Sequence, residues 1–278
     1  MIRMFVLLLS LAIAGNARAD MFLTLDATRS TQLSGLLDYL LPIFKAASNL
    51  SVHVVTLDAG QAVAVAERGD ADALLLNDRR VEDQLLADGH GVNLRDAMYD
   101  DFVIVGPRSD PAGIRGVPYA SKALAQIAAK RALFASPGDD SGAHQMELRL
   151  WKSADIQPNT KSAWYRVAGQ SMETTLSLAA ATNAYTLADR ASWAGFRNRQ
   201  NLEVLVERDP LLFNVYGSML ISPAKWPQVK ITFARIWHDW LTDKHGFAAI
   251  TSYQINGEQI FFPCQGLDVG LCRSVSAR

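Results

Sequence analysis

Short apolar runs alternate with amphipathic helical stretches along almost the whole chain, and this alternation restricts the fold more than any other feature. Phe22 to Ala27, Ser51 to Leu57 and Ala71 to Leu76 read as strands. Between them, Ser34 to Ala47 places Leu36, Leu37, Leu40, Leu41 and Phe44 on one helical face, and an alanine-rich helix ends near Gly69. Pro42 inside the first helix predicts a kink or a break. Strands and helices at this spacing indicate βαβ units and a mostly parallel sheet, the α/β class.

The pattern continues with a helix over 81–87 and a strand over 101–107 that ends in Gly106-Pro107. The Pro- and Gly-rich stretch 109–118 reads as a passage between two lobes. A second series follows: helix 122–130, strand 132–136, helix 143–154, strand 164–168, helix 171–180, strand 184–187, helix 190–197 and strand 202–207. Strand 215–222 reads as the return, and helices over 228–241 and 246–251 close the structure. The expected division is therefore 20–107 with 215–278 as lobe 1, and 108–214 as lobe 2. Two crossings make a hinge with a cleft beneath it.

Residues 1–19 have the layout of a secretory signal: Arg3, an apolar core over 4–14 too short to span a bilayer, and the small-x-small run Ala17-Arg18-Ala19. The expected product is periplasmic, cleaved after Ala19. Losing Arg3 and Arg18 leaves about 25 basic residues against 28 acidic ones, a formal net charge of about −3. Such a balance offers no basic stripe for nucleic acid and no polybasic membrane face. Cys264 and Cys272 are the only cysteines, and export predicts a structural disulfide between them.

In open α/β sheets, ligands sit where strands end and helices begin. Four such turns share a character here: 28–34, 58–61, 138–142 and 169–172, each with Gly or small hydroxyl residues that let backbone amides approach a ligand. The first, within DATRSTQLSG, adds a guanidinium at Arg29. Hydroxyls, a fixed positive charge and helix-start amides suit an anion, and they equally suit an ordinary N-cap. The candidate ligand set is Thr28, Arg29, Ser30, Gly60, Gln61, Ser141, Gly142, Gln170 and Ser171. No metal site and no cofactor is expected, because the histidines lack ligand spacing; His144 is the one near the cleft. Asp139 and Asp140 read as caps of the following helix. The Gly-Asp-Asp-Ser-Gly turn has one residue too many for a nucleophile elbow and no base to follow it, so no enzyme is expected.

The run STQLSGLLDYLLPIF, the pair Gly60-Gln61, MYDDFVIVGPRSDPAGI (98–114), Gly138-Asp139-Asp140-Ser141-Gly142 with Glu147 and Trp151-Lys152, Trp164-Tyr165 with Gly169-Gln170-Ser171-Met172, and Ala184 to Arg190 occur in an order that resembles the tungstate-binding proteins of bacterial ABC importers. The resemblance covers nearly the whole mature chain. It implies a two-lobed type II periplasmic solute-binding fold, a monomer that captures tungstate or, second, molybdate, and partners consisting of an ABC permease and its ATPase in the inner membrane. It also suggests an Asp189–Arg190 ion pair and a cleft-facing Tyr185.

Two departures stand out against that resemblance. The family's Thr-Thr-Thr-Ser start is here Ala27-Thr28-Arg29-Ser30, and its Ser-Arg-Gly-Asp-x-Ser-Gly-Thr turn is here Ser136 to Ala143, with Pro137 at the arginine and Ala143 at the last threonine. One reading has Arg29 reach across the cleft into the space left at Pro137. The other leaves Arg29 in solvent, with a changed or degenerate site that takes another anion such as sulfate, or a signalling and interaction role.

Overall fold

The computed structural model describes residues 21–57, 59–139, 141–169, 171–264 and 272; the signal segment, Asp58, Asp140 and Gln170 lie outside them. Strand β1 (Phe22–Thr28) lies between β2 (Ser51–Leu57) and β3 (Ala73–Leu76), all three parallel. The period of two puts Leu23, Leu25 and Ala27 into one core and turns Thr24, Asp26 and Thr28 to the other face. The intervening helices are α1 (Arg29–Leu33), α2 (Leu36–Ser48), α3 (Ala59–Arg68) and α4 (Arg79–Ala87).

The sequence places one helix start at Ser34; instead α1 stops, Gly35 adopts φ +77°, and α2 starts afresh. A Cβ at Gly35 would also lie 3.0 Å from the Tyr253 hydroxyl. Pro42 does not break α2, which is continuous across it. Pro42 is on the exposed face, where the carbonyl it leaves unbonded can be hydrated.

Strand β4 (Gly91–Pro107) is 17 residues long and joins the two lobes. Its first part pairs antiparallel with β9 (Phe213–Ile221), from Gly91↔Ile221 to Asp101↔Phe213. From Phe102 it pairs instead with β7 (Thr186–Asp189) and β8 (Leu202–Val206). The chain thus changes lobes inside a strand, at Asp101-Phe102, and returns at Phe213, directly opposite. The loop 109–118 is not the passage: it folds back on the second lobe, burying Ala112 and Ile114. Residues 91–100 escape a hydrophobicity reading because Arg95 and Asp96 interrupt them, and these are bonded to Asp239 and Arg79 respectively.

The second lobe also contains α5 (Ala120–Lys130), β5 (Phe134–Ser136), α6 (Gly142–Ser153), β6 (Tyr165–Val167), α7 (Met172–Thr182) and α8 (Arg190–Gly195). Strands β5 and β6 are parallel, and a Phe134↔Tyr185 bridge links them to the β7 side. The chain ends in the first lobe with α9 (Ile231–Leu241), α10 (Lys244–Ser252), β10 (Gln254–Ile255), β11 (Glu258–Gln259) and β12 (Phe262–Pro263), which borders β4. The first-lobe order is β2-β1-β3-β9-β4-β12. It is less parallel than expected, because the strands that leave and re-enter a lobe must run in opposite directions, whereas helix-linked strands run together.

Apolar clusters cover both faces of each sheet. Phe44, Trp237 and Phe261 pack on one face of the first-lobe sheet, and Ala62, Leu74 and Val81 on the other. In the second lobe Phe134 and Trp151 oppose Leu176 and Trp193. The disulfide Cys264–Cys272 is formed, with a Cα–Cα distance of 6.1 Å. No helix among the described residues is long and apolar enough to cross a membrane.

Candidate anion-binding site

The strand register brings the proposed turns together in pairs. Thr28 lies beside Leu57 at the ends of β1 and β2, so the segment that opens α1 and the one that opens α3 leave the sheet side by side. Arg29 and Ser30 are the first two residues of α1, and Gly60 is the second of α3; Gln61 follows and is exposed. The Thr28 and Thr31 hydroxyls are 2.8 Å apart, and both residues are buried. Ser34 Oγ donates to the Thr31 carbonyl at 2.7 Å and accepts from Leu36 N at 3.3 Å. Part of this hydroxyl set therefore shapes its own turn.

The second-lobe pair is joined by backbone. Ala168 N donates to the Ser136 carbonyl and Gly169 N to the Pro137 carbonyl, each at 2.8 Å, which extends the β5–β6 ladder into both turns. Gly138 (φ +60°) is required for this approach: a Cβ there would lie 2.3 Å from Val167 Cγ1. Ser141 caps α6 by accepting from His144 N at 3.3 Å, and Ser171 caps α7 by accepting from Thr174 N at 3.2 Å. A hydroxyl that accepts keeps a proton to donate, so capping and anion binding are compatible. The space where side chains at Gly142 and Gly169 would begin is empty within 4 Å.

Several expected roles change. The cap of α6 is Ser141; Asp139 Oδ1 accepts from Ser141 N at 3.1 Å and shapes the turn, while Asp140 lies outside the described residues. Tyr185 does not face the cleft. It is fully buried, its hydroxyl donates to Asp110 Oδ1 at 2.8 Å and accepts from Ala112 N at 2.9 Å, and burial raises its pKa. Asp189 caps α8 through Ser192 N at 2.8 Å and is not the partner of Arg190. The Arg190 guanidinium instead binds Asp101 through two nitrogens, at 2.5 and 2.6 Å, and also Glu207 and Glu258. The pair suggested by the resemblance has the wrong carboxylate, because strand pairing brings Asp101 to Arg190.

A buried polar network at the crossing strands was not legible in the sequence. Asp100 accepts from Asn214 Nδ2 at 2.8 Å and from the Tyr216 hydroxyl at 3.2 Å, and Asn77 Nδ2 donates to Asn214 Oδ1 at 3.2 Å. Burial and then the Asp189 charge push the Asp100 carboxyl well above the usual carboxylate range.

Each lobe also buries a carboxylate close in sequence to its turns. Glu147 Oε1, on α6, accepts from Trp151 Nε1 at 2.9 Å and from the Tyr165 hydroxyl at 2.6 Å, and burial raises its pKa. Asp26, on β1 two residues before Thr28, is 0% exposed, neither oxygen has a hydrogen-bond partner among the described residues, and burial pushes its carboxyl up to about 7. No group of three or more His, Cys, Asp or Glu placed to hold a metal ion exists among the described residues.

Residues 23–245 match the PBP superfamily domain. The chain is 34% identical to the tungstate-binding protein TupA of Peptoclostridium acidaminophilum, over 93% of this chain and 95% of that protein. The chain belongs to the TupA family of the PBP superfamily. Its TupA-family fold superposes on the tungstate-binding protein TupA from Desulfovibrio alaskensis G20 with a TM-score of 0.83 at 35% identity, covering 87% of this chain and 98% of that one. The tungstate ABC transporter structure from Geobacter sulfurreducens matches with a TM-score of 0.73 at 44% identity, covering 84% and 100%. Membership in this TupA family confirms the α/β two-lobed type II solute-binding fold expected from the sequence. TupA-family proteins are non-catalytic binding proteins of ABC importers that work outside the cytoplasmic membrane.

Proposed function

We propose that this protein captures tungstate, with molybdate second, in the cleft between its lobes and delivers it as a monomer to an ABC permease with an ATPase partner in the inner membrane. Thr28, Arg29, Ser30, Gly60 and Gln61 form the first wall of the site, and Ser141, Gly142, Gln170 and Ser171 the second. What carries the reading is the pairing of two donor-rich turns at adjacent strand ends in each lobe, in a chain alike over nearly its full length to a protein named for tungstate binding. Helix-start amides and hydroxyls that still hold a proton are the donors a fully ionised tetrahedral dianion needs. The chain is exported and cleaved after Ala19, which the mass of the periplasmic form tests.

Arg29 supplies from the first wall the positive charge that the family resemblance places at Pro137 in the second. Isothermal titration of the mature protein with tungstate, molybdate, sulfate and phosphate tests the assignment, with tungstate expected to bind most tightly and phosphate most weakly. Tighter binding of sulfate than of tungstate would overturn it. Affinity of Arg29→Ala within a factor of two of wild type would reject the arginine exchange alone. The substitutions at Arg29, Pro137 and Ala143 favour one second reading, a degenerate site in a signalling or interaction protein. Thermal melting separates the two, since a ligand at a hundredfold its Kd adds about 2.7 kcal/mol and a degenerate site adds nothing.

A further inference from the structure

Asp26 has no role in the chemistry so far described, and its environment is unusual for a carboxyl group. It stands on the central strand β1, on the same sheet face as Thr28, with Val55 and Leu74 as its register neighbours on either side. Leu74 belongs to the apolar cluster of Ala62, Ala66, Leu76 and Val81 that covers this face. Asp26 has no exposed surface, and neither oxygen has a hydrogen-bond partner among the described residues.

The charged groups on the elements packed here are engaged elsewhere or lie in solvent. His53 on β2 is exposed and stacked on Phe22. Asp72, before β3, is held by Thr24 N and Lys230. Glu67 and Arg68 of α3 and Arg80 and Asp83 of α4 are exposed. Arg79 pairs with Asp96 and with one oxygen of the buried Glu82, whose carboxyl burial pushes up to about 8, so Asp26 is read by difference from its own variants. Among the described groups none compensates Asp26, and burial is the one cause of its shift.

A carboxylate without donors in an apolar setting is stable only as the neutral acid. A dianion at the end of the same strand adds like-charge repulsion through a medium that screens poorly. We propose that Asp26 couples anion capture to a proton: the acid is protonated while the anion is held on the Thr28 wall, and its ionisation opposes binding. The coupling rests on the anion reading above and makes Asp26 an affinity-setting residue that does not touch the ligand. Neutral conditions then favour capture over alkaline ones, with the proton carried by the protein and not by the oxyanion.

Titration calorimetry of the mature protein with tungstate between pH 7 and 9, in pairs of buffers of different ionisation enthalpy, tests the coupling. Wild type is expected to take up a fraction of a proton per anion and to bind more weakly by roughly tenfold for each unit of pKa rise that the anion induces. Asp26→Asn should bind with no uptake and a flat profile, and more tightly than wild type at pH 9. Asp26→Ala, with thermal melting as a folding control, serves if the amide is not tolerated. Tight binding by wild type without proton uptake, or an unchanged slope in both variants, overturns the coupling and leaves the anion site standing. Absence of binding by wild type at every pH removes the site and the coupling together.

Discussion

In the first lobe the strand entering the candidate turn carries Asp26, buried with both oxygens bare among the described residues; in the second, the helix leaving the candidate turn carries Glu147, equally buried, with an indole N–H and a phenol O–H on one oxygen. Both are raised in pKa by the same cause, loss of hydration. Their surroundings differ. Glu147 ties α6 to β6 through Tyr165, so its polar atoms hold two elements of the second lobe in place. Asp26 ties nothing, so its burial is a cost that ionisation increases. Equal burial of equal chemistry thus gives a structural brace in one lobe and a bare acid in the other, and the presence of donors decides which.

The largest test of this contrast is Glu147→Ala, which orphans the Tyr165 and Trp151 donors and opens a cavity. It should cost about 3 kcal/mol of unfolding free energy in urea titration. Asp26→Ala should have the opposite sign at high pH, a gain of about 2 kcal/mol at pH 8 that turns into a loss of about 2 kcal/mol near pH 4, where the neutral acid is replaced by a cavity. The folded carboxyl titrates at about 7 and the unfolded one near 3.8, so the folded state alone holds this proton between those values. Stability from this group is therefore complete below pH 3.8 and lost as pH rises through 7.

His238 sharpens the comparison from the other side. It is fully buried, its Nδ1 lies 2.8 Å from Ser218 Oγ, and burial, then the Arg95 charge, lower it to about 4 from 6.5. The unfolded chain takes up this proton first, so stability falls as pH drops from 6.5 to 4. In wild type the Asp26 and His238 slopes oppose each other across that window. Relative to wild type, Asp26→Ala should steepen the rise of stability with pH between pH 4.5 and 6 by about 1.4 kcal/mol per pH unit, read from urea midpoints.

Tyr165→Phe, which leaves Trp151 as the donor to Glu147, should cost about 1.5 kcal/mol. Smallest is Ser171→Ala, about 1 kcal/mol for one lost cap on α7, with a larger fractional loss of anion affinity than of stability.

The alternating elements and both lobes were legible because strand and helix periodicities are local; the caps were not, since Asp139 and Asp140 stand beside Ser141 in the same turn and any of the three suits a helix start. The disulfide was legible because cysteine usage offered one pairing. Misread features share another origin. The passage at Asp101-Phe102 hides inside a strand whose first half is charged. Arg190 seeks Asp101 across 89 residues, and Tyr185 seeks Asp110 across 75. None of these partners can be chosen from neighbours in the chain.

Of the candidate site, the sequence by itself determined which turns hold donors, since Gly, Ser and Thr at strand ends write backbone geometry and hydroxyl chemistry directly. It also determined the family, through motifs kept in order along the chain. Only the tertiary structure decided that those turns meet in pairs, because strand register sets which ends are neighbours. It alone decided that Asp26 is bare and Glu147 is held, because a carboxyl's fate depends on which donors other elements bring within 3 Å, and packing across the sheet determines that.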